Sequence, residues 1–266
     1  MQSSNEIIVR NIMAVISYNG SKYHGWQVQK NAITVQEIFQ KKLYEILNEQ
    51  VDIKGCSRTD SGVHANVYVI SFKTTSKITC GSLINALNRR LPDDICISRC
   101  EEVPTDFHAR YSCIAKEYVY KIWNNKIKNP FLEKRALHYW YHIDIAELNK
   151  AAKYFLGTHN FTSFATLDAR KSENMTRTIY EFDVTQQGSL IEIKIKADGF
   201  LYNMVRIIIG TLLRIAQGKF SPDDIPKIIK AQNRKNAGPT APSHGLYLNK
   251  ICYNKPIGEV SINEWI

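Results

Sequence analysis

VDIKGCSRTDSGVHANVYVISF, residues 51–72, sets two apolar runs around a polar interior. The flanks, 51–56 and 67–72, are rich in Val, Ile, Tyr and Phe and read as strands. Between them GCSRTDSGVHA, residues 55–65, gathers Ser57, Arg58, Thr59, Asp60, Ser61 and His64. A surface turn uses Asp, Ser and Gly because they bend tightly and bond their own backbone. That accounts for Gly62. It accounts less well for Arg58 and His64, so the stretch is a candidate site as well as a connection.

Working outward, residues 12–18 (IMAVISY) read as a buried strand. Residues 34–48 read as a helix, with Thr34 and Glu37 at capping-box spacing and Val35, Ile38, Phe39, Leu43 and Ile46 on one face. A second helix over 82–91 stops before Pro92, as proline requires. Strands follow at 95–100 and 117–123. This half runs β-α-β-β-α-β with one more strand, which predicts helices against an antiparallel sheet. WNNKIKNP, residues 123–130, is polar and basic, ends in proline and reads as a linker. The order then partly repeats: helix 145–156, strands 178–185 and 190–197, helices 201–217 and 223–231, strand 245–252. In the second of those strands Ile191, Ile193 and Ile195 alternate with Glu192, Lys194 and Lys196, a one-face-buried pattern. The expectation is an α+β protein of two similar domains, 8–123 and 131–255, with a basic cleft between them.

A chain of 266 residues that is 44% hydrophobic can bury sizeable cores. Its 35 Lys and Arg against 25 Asp and Glu leave a net charge of +10, which favours a polyanionic partner such as nucleic acid. The six cysteines, at 56, 80, 96, 100, 113 and 252, include no CxxC pair and no zinc-finger spacing, so they read as structural thiols and no metal is expected. Cys96 and Cys100 are expected on one strand face, as core. The N-terminal residues show no basic segment leading into an apolar run, which predicts a cytoplasmic protein. GFLYNMVRIIIGTLL, residues 199–213, is the longest stretch with little charge; it is too short to span a bilayer, so no membrane association is expected.

Arg206 is the single charge in that stretch. A buried guanidinium needs a carboxylate or phosphate partner, unless its head escapes to water at a helix edge. In KEYVY, residues 116–120, Tyr118 and Tyr120 share one strand face: core residues, or rings on which a base stacks. NAGPTAPSHG, residues 236–245, suits a rigid rim or a plain connection.

Together these motifs carry a resemblance. GCSRTDSGVHA resembles the G-R-T-D-x-G-V-H-A signature of the bacterial tRNA pseudouridine synthase A family. FHARYS (107–112), KEYVY, HNFTSF (159–164), GFLYNMVR (199–206) and AGPTAPSHGLYL (237–248) follow in the family's order and extend the likeness over nearly the whole chain. Small departures occur: Cys56 and Ser57 precede Arg58, Ser61 stands where alanine is common, and Asn160 where aspartate is common. The resemblance implies the pseudouridine synthase fold, an isomerase that forms pseudouridine from uridine in the tRNA anticodon stem-loop at positions 38, 39 and 40, a tRNA partner and a homodimer.

The resemblance also implies roles. Asp60 matches the nucleophilic aspartate, Tyr118 the tyrosine that packs on the target base and helps remove its C5 proton, and Arg206 the arginine paired with the carboxylate. Arg58 matches an arginine that displaces the base from its stack, and Leu246 or Leu248 stands near an apolar contact to the base. Substrate and product are isomers, so no cofactor, redox equivalent or small-molecule donor is implied. Arg58, Arg110, Lys116, Arg170 and Lys171 are candidate phosphate contacts. His64 is expected to make a structural hydrogen bond. The same chemistry on other uridines, or tRNA binding without catalysis, are the alternative readings.

Overall fold

The structure is a computed structural model that describes residues 8–166 and 174–261. The chain divides into two compact units: one runs to Ile114 and resumes at Lys250, the other is Ala115–Asn249. Both are α+β. Arg170 and Lys171 lie outside the described residues.

In the first unit β1 (Arg10–Tyr18) is central. Ile12 to Ile16 are at most 2% exposed, as suits a strand with neighbours on both edges. α1 (Val35–Leu47) is capped by Thr34, whose hydroxyl accepts from the Glu37 N–H at 3.4 Å, and buries Val35, Phe39 and Leu43. β2 is only Lys54–Gly55, shorter than the strand expected over 51–56. The cause is α1: its Gln40 and Gln36 amides donate to the Val51 and Ile53 carbonyls at 3.3 and 3.4 Å, diverting this backbone from the ladder. β3 (His64–Thr74) pairs antiparallel with β1. α2 (Cys80–Asn88) starts two residues before the expected 82 because Thr79 is the cap, accepting from the Ser82 N–H at 3.2 Å.

β4 (Ile95–Val103) pairs with the other edge of β1, also antiparallel. Its register slips where Val15 meets Arg99 and Ile16 meets Ile97. That extra residue breaks the alternation. Ile95 and Ile97 point inward, Cys96 is exposed and Cys100 half-buried, so the expected pair of core cysteines is corrected to two thiols outside the core.

The second unit is built on β5 (Cys113–Asn124), flanked by the short β6 (Leu137–Tyr139). Its helix α3 (Ile145–Lys153) is capped by Asp144 and followed by β7 (Gly157–Asn160), β8 (Thr176–Gln187) and β9 (Leu190–Ala197). β5, β9, β8 and β7 pair antiparallel in that order, whereas β6 runs parallel to β5, so this sheet is mixed and not purely antiparallel. β9 shows the expected alternation, with Ile191, Ile193 and Ile195 at most 1% exposed.

β7 was not expected from the sequence. The HNFTSF motif continues from it into the core, where Phe164 packs edge to face with both Phe155 and Phe161. α4 (Met204–Ala216) is buried nearly all round, which explains its low charge: Ile207, Ile208, Ile209 and Leu212 are fully enclosed. α5 (Ile225–Ala231) follows a one-turn helix whose Ser221 and Asp224 form a reciprocal capping box. β10 (Leu246–Tyr253) leads back to the first unit, where β11 (Glu259–Val260) pairs with its last residues. No helix among the described residues is long and apolar enough to cross a membrane.

Candidate active-site residues

The loop that carries Asp60 is held by its backbone, and the anchors come from residues 18–26, YNGSKYHGW. The Trp26 N–H donates to the Thr59 carbonyl at 3.2 Å, and the Gly62 N–H to the Tyr23 carbonyl at 3.1 Å. The Thr59 and Tyr18 hydroxyls bond each other at 2.9 Å in a buried position. The Val63 N–H closes a turn onto the Asp60 carbonyl at 3.1 Å, with Gly62 at φ +77. Each such bond contributes about 0.5–1.5 kcal/mol net. Their combined effect is to leave the Asp60 backbone little freedom.

Glycines let these segments meet. An added Cβ at Gly20 would lie 1.9 Å from the Val63 carbonyl oxygen, and one at Gly55 would lie 2.3 Å from the Tyr68 hydroxyl. Trp26 stacks on Tyr68 with ring centroids 4.2 Å apart, and Tyr68 donates its hydroxyl to the Ser57 carbonyl. His64 is buried, and its Nδ1 accepts from the Gly20 N–H at 3.0 Å, as expected of a structural hydrogen bond. That bond assigns the ring proton of neutral His64 to Nε2. Upon this frame Asp60 is half-buried and Arg58 exposed, so one loop carries both the predicted carboxylate and the predicted arginine.

Arg110 also lies in the first unit, in a turn that His108 organises by accepting the Arg110 and Tyr111 N–H groups on Nδ1 at 3.1 and 3.3 Å. Arg110 is exposed, with its guanidinium 5.9 Å from the centre of the Tyr111 ring. Burial, with help from the Lys54 charge, pushes the His108 pKa down.

Tyr118, Arg206, Leu246 and Leu248 belong to the second unit. Arg206 Nε donates to the Ala241 carbonyl and Nη1 to the Asn203 amide oxygen, both at 2.8 Å. Asn203 holds φ +60 at the start of α4, a left-handed conformation that asparagine tolerates. The Ala241 N–H returns to the Arg206 carbonyl at 3.0 Å, so the 236–245 loop and the first turn of α4 hold the guanidinium in one orientation. That loop lies directly on the helix. A Cβ at Gly210 would sit 1.7 Å from the Pro239 oxygen, and the Gly238 N–H bonds the Thr211 hydroxyl at 2.9 Å.

Tyr120 ties the same loop to β5 by donating to the Pro242 carbonyl at 2.9 Å; burial drives its pKa well up, opposed by the Arg206 charge. Tyr118, two residues away on the same face, is 6% exposed and meets Phe200 edge to face at 5.1 Å. Phe200 lies on the approach to α4, so Tyr118 and Arg206 flank one short segment. Leu246 is 5% exposed and Leu248 fully buried. Lys116 is half-buried on β5.

The anchors in 18–26 and the acceptors Asn203 and Ala241 escaped the sequence reading. Two glycines beside a tryptophan were the legible signal for the first group. Nothing local marks a carbonyl such as that of Ala241.

A family profile described as tRNA pseudouridine synthase matches residues 14–112 and 151–254, well over half of the chain. The chain belongs to this family. The tRNA pseudouridine synthase A of Thermoanaerobacter sp. (strain X514) is 46% identical over 245 residues, covering 92% of this chain and 100% of the relative. Those of Acetivibrio thermocellus and Exiguobacterium sibiricum are 44% and 40% identical, each over 92% of this chain and covering 100% and 97% of themselves. The enzyme is thus an α+β protein of the pseudouridine synthase fold. Arg58, Asp60 and Arg110 fall in the first matched stretch, and Arg206, Leu246 and Leu248 in the second. Tyr118 lies between the two.

Proposed function

We propose that this enzyme converts uridine to pseudouridine in the anticodon stem-loop of tRNAs, at positions 38, 39 and 40, with Asp60 as the nucleophile. The reaction is an isomerisation: the N1–C1′ bond breaks, a C5–C1′ bond forms, C5 loses a proton and N1 gains one. No group or electron is consumed, so one carboxylate with a general base suffices. The observation that supports Asp60 is its half-buried place in a loop clamped by the Thr59, Gly62 and Val63 backbone bonds. Such clamping preorganises a nucleophile.

In this reading Arg206, already oriented by Asn203 and Ala241, is the cationic partner of the carboxylate. Tyr118 supplies an aromatic wall for the base and a hydroxyl for the C5 proton, with Leu246 or Leu248 as apolar contact. Arg58 takes the place of the displaced base, and Arg110 and Lys116 meet phosphates. Extrusion of a base costs a few kcal/mol, which stacking offsets. The enzyme works in the cytoplasm as a homodimer.

The test is Asp60→Asn, nearly isosteric and without the nucleophilic anion. Purified protein is incubated with unmodified tRNAs, and pseudouridine is mapped at nucleotide resolution. Wild type should modify positions 38–40, and the variant should bind tRNA with wild-type affinity and form no product. Substantial turnover by Asp60→Asn refutes the assignment of the nucleophile, and product at other uridines refutes the assignment of the target.

A further inference from the structure

Residues 124–142 take no part in the chemistry proposed above, and they lie between the two stretches matched by the family profile. They form an unusual surface. Ile127, Phe131, Trp140 and Tyr141 are 77%, 84%, 57% and 56% exposed. Lys126, Lys128, Lys134 and Arg135 stand among them, also exposed, against the single acid Glu133. Scattered apolar residues on a surface are ordinary; several large ones within one basic segment suggest a binding site.

The frame beneath is rigid. The Asn124 amide donates to the Tyr139 and Tyr141 carbonyls at 2.8 and 2.7 Å, which fixes the strand end that presents Trp140. The Trp123 Nε1 donates to the Ile127 carbonyl at 2.8 Å, and the His138 Nε2 lies 2.8 Å from the Asn125 carbonyl. Asn129 caps the one-turn helix at Pro130–Leu132 by accepting the Phe131 N–H at 3.0 Å. The His138 ring lies 5.9 Å from that of Trp140, which in turn is 5.4 Å from Tyr141. His138 therefore links the 125–128 turn to Trp140. The side chains are exposed while their backbone is held, so binding there adds little backbone ordering cost.

We infer that this surface is a second contact for the tRNA, outside the reacting centre, at which Trp140 and its neighbours stack on an unpaired base while Lys126 and Lys128 neutralise phosphates. The inference rests on the reading of the enzyme as a tRNA synthase. Charge decides the occupant. A second copy of this face would oppose positive charge with positive charge, whereas RNA supplies both the anions and the flat rings that this mixture of side chains matches.

The test compares full-length wild type, Trp140→Ala and Lys126→Glu/Lys128→Glu on an unmodified full-length tRNA transcript. Affinity is measured at two salt concentrations, and KM and kcat are measured separately. Trp140→Ala should raise Kd and KM roughly tenfold with kcat unchanged. The double charge reversal should raise both further and flatten the slope of log affinity against log salt by roughly one to two. Ultraviolet cross-linking of wild type to the tRNA should map to Trp140 or Tyr141.

Circular dichroism and the melting temperature check folding; the lysines are exposed, so their variant keeps the test open if Trp140→Ala is unstable. Wild-type Kd and KM in the charge variant overturn the inference. So does a loss of self-association by light scattering with RNA affinity intact, which would make this face an interface between copies. Wild type that makes no pseudouridine in any tRNA refutes the functional reading, whereas cross-links that avoid residues 124–142 in an active enzyme refute only this one.

Discussion

Replacing Gly25 by alanine probes the link between the Asp60 loop and the segment that holds it. Gly25 has φ +83, and an added Cβ would fall 2.2 Å from the Thr59 carbonyl oxygen, the same oxygen that accepts from the Trp26 N–H. A positive φ costs a non-glycine residue about 1–2 kcal/mol. Real Cβ atoms do not approach closer than 3.0 Å, so 3.0 minus 2.2 requires the Thr59 backbone to move by 0.8 Å. Overpacking of this kind adds about 1–3 kcal/mol, for a total of about 2–5 kcal/mol.

Because the displaced peptide adjoins Asp60, turnover should fall on the order of a hundredfold, the usual consequence of a misplacement of about 1 Å. Gly258→Ala is the control: Gly258 belongs to the same unit, has φ +69 and has nothing within 4 Å of its added Cβ. It should lose only the backbone penalty and keep its activity. Chemical denaturation gives the stabilities, and single-turnover pseudouridine formation, measured where both variants are folded, gives the rates. Equal losses of stability in the two variants, or wild-type turnover in Gly25→Ala, would refute the idea that Gly25 seats the loop.

Two further outcomes follow from other contacts. Gly210→Ala places a Cβ 1.7 Å from the Pro239 oxygen, so it should lift the 236–245 loop from α4, lower stability by about 1–3 kcal/mol and reduce kcat through loss of the Ala241 contact to Arg206; an unchanged melting temperature and kcat would disprove this. Asp223 has its pKa lowered by hydrogen bonds from Lys150 and Tyr154, at 2.7 and 2.6 Å. A depressed folded pKa stabilises above the unfolded value and is lost as pH falls through the folded one. The melting temperature of Asp223→Asn should therefore lie below that of wild type near neutrality, and the gap should close in acid; a gap independent of pH would contradict the assignment.

Much of the architecture was legible in the sequence because it depends on neighbours a few residues apart. Thr34 caps α1 by reaching a backbone N–H three residues on, and the alternation of isoleucine with charge in β9 follows from the pleat. The α+β class and the candidate residues on the Asp60 loop are of this kind. Misreadings arose where a distant group intervened. Glutamines of α1 took the carbonyls of residues 51 and 53, a bulge in β4 put Cys96 and Cys100 out of phase, and β6 joined β5 in parallel across the twelve residues 125–136.

What the sequence determined by itself is the inventory: a carboxylate, an arginine and two glycines in GCSRTDSGVHA, an arginine as the single charge of the apolar stretch 199–213, and tyrosines on one strand face. Only the tertiary structure decided how they are held. The Asp60 loop is seated by Tyr18, Gly20, Tyr23 and Trp26, about forty residues earlier in the chain. Arg206 is aimed by an asparagine three residues before it and a carbonyl 35 residues after it. Periodicity and caps record interactions within a turn or a strand, whereas the pairing of one donor with one remote acceptor exists only once the chain has brought the two together.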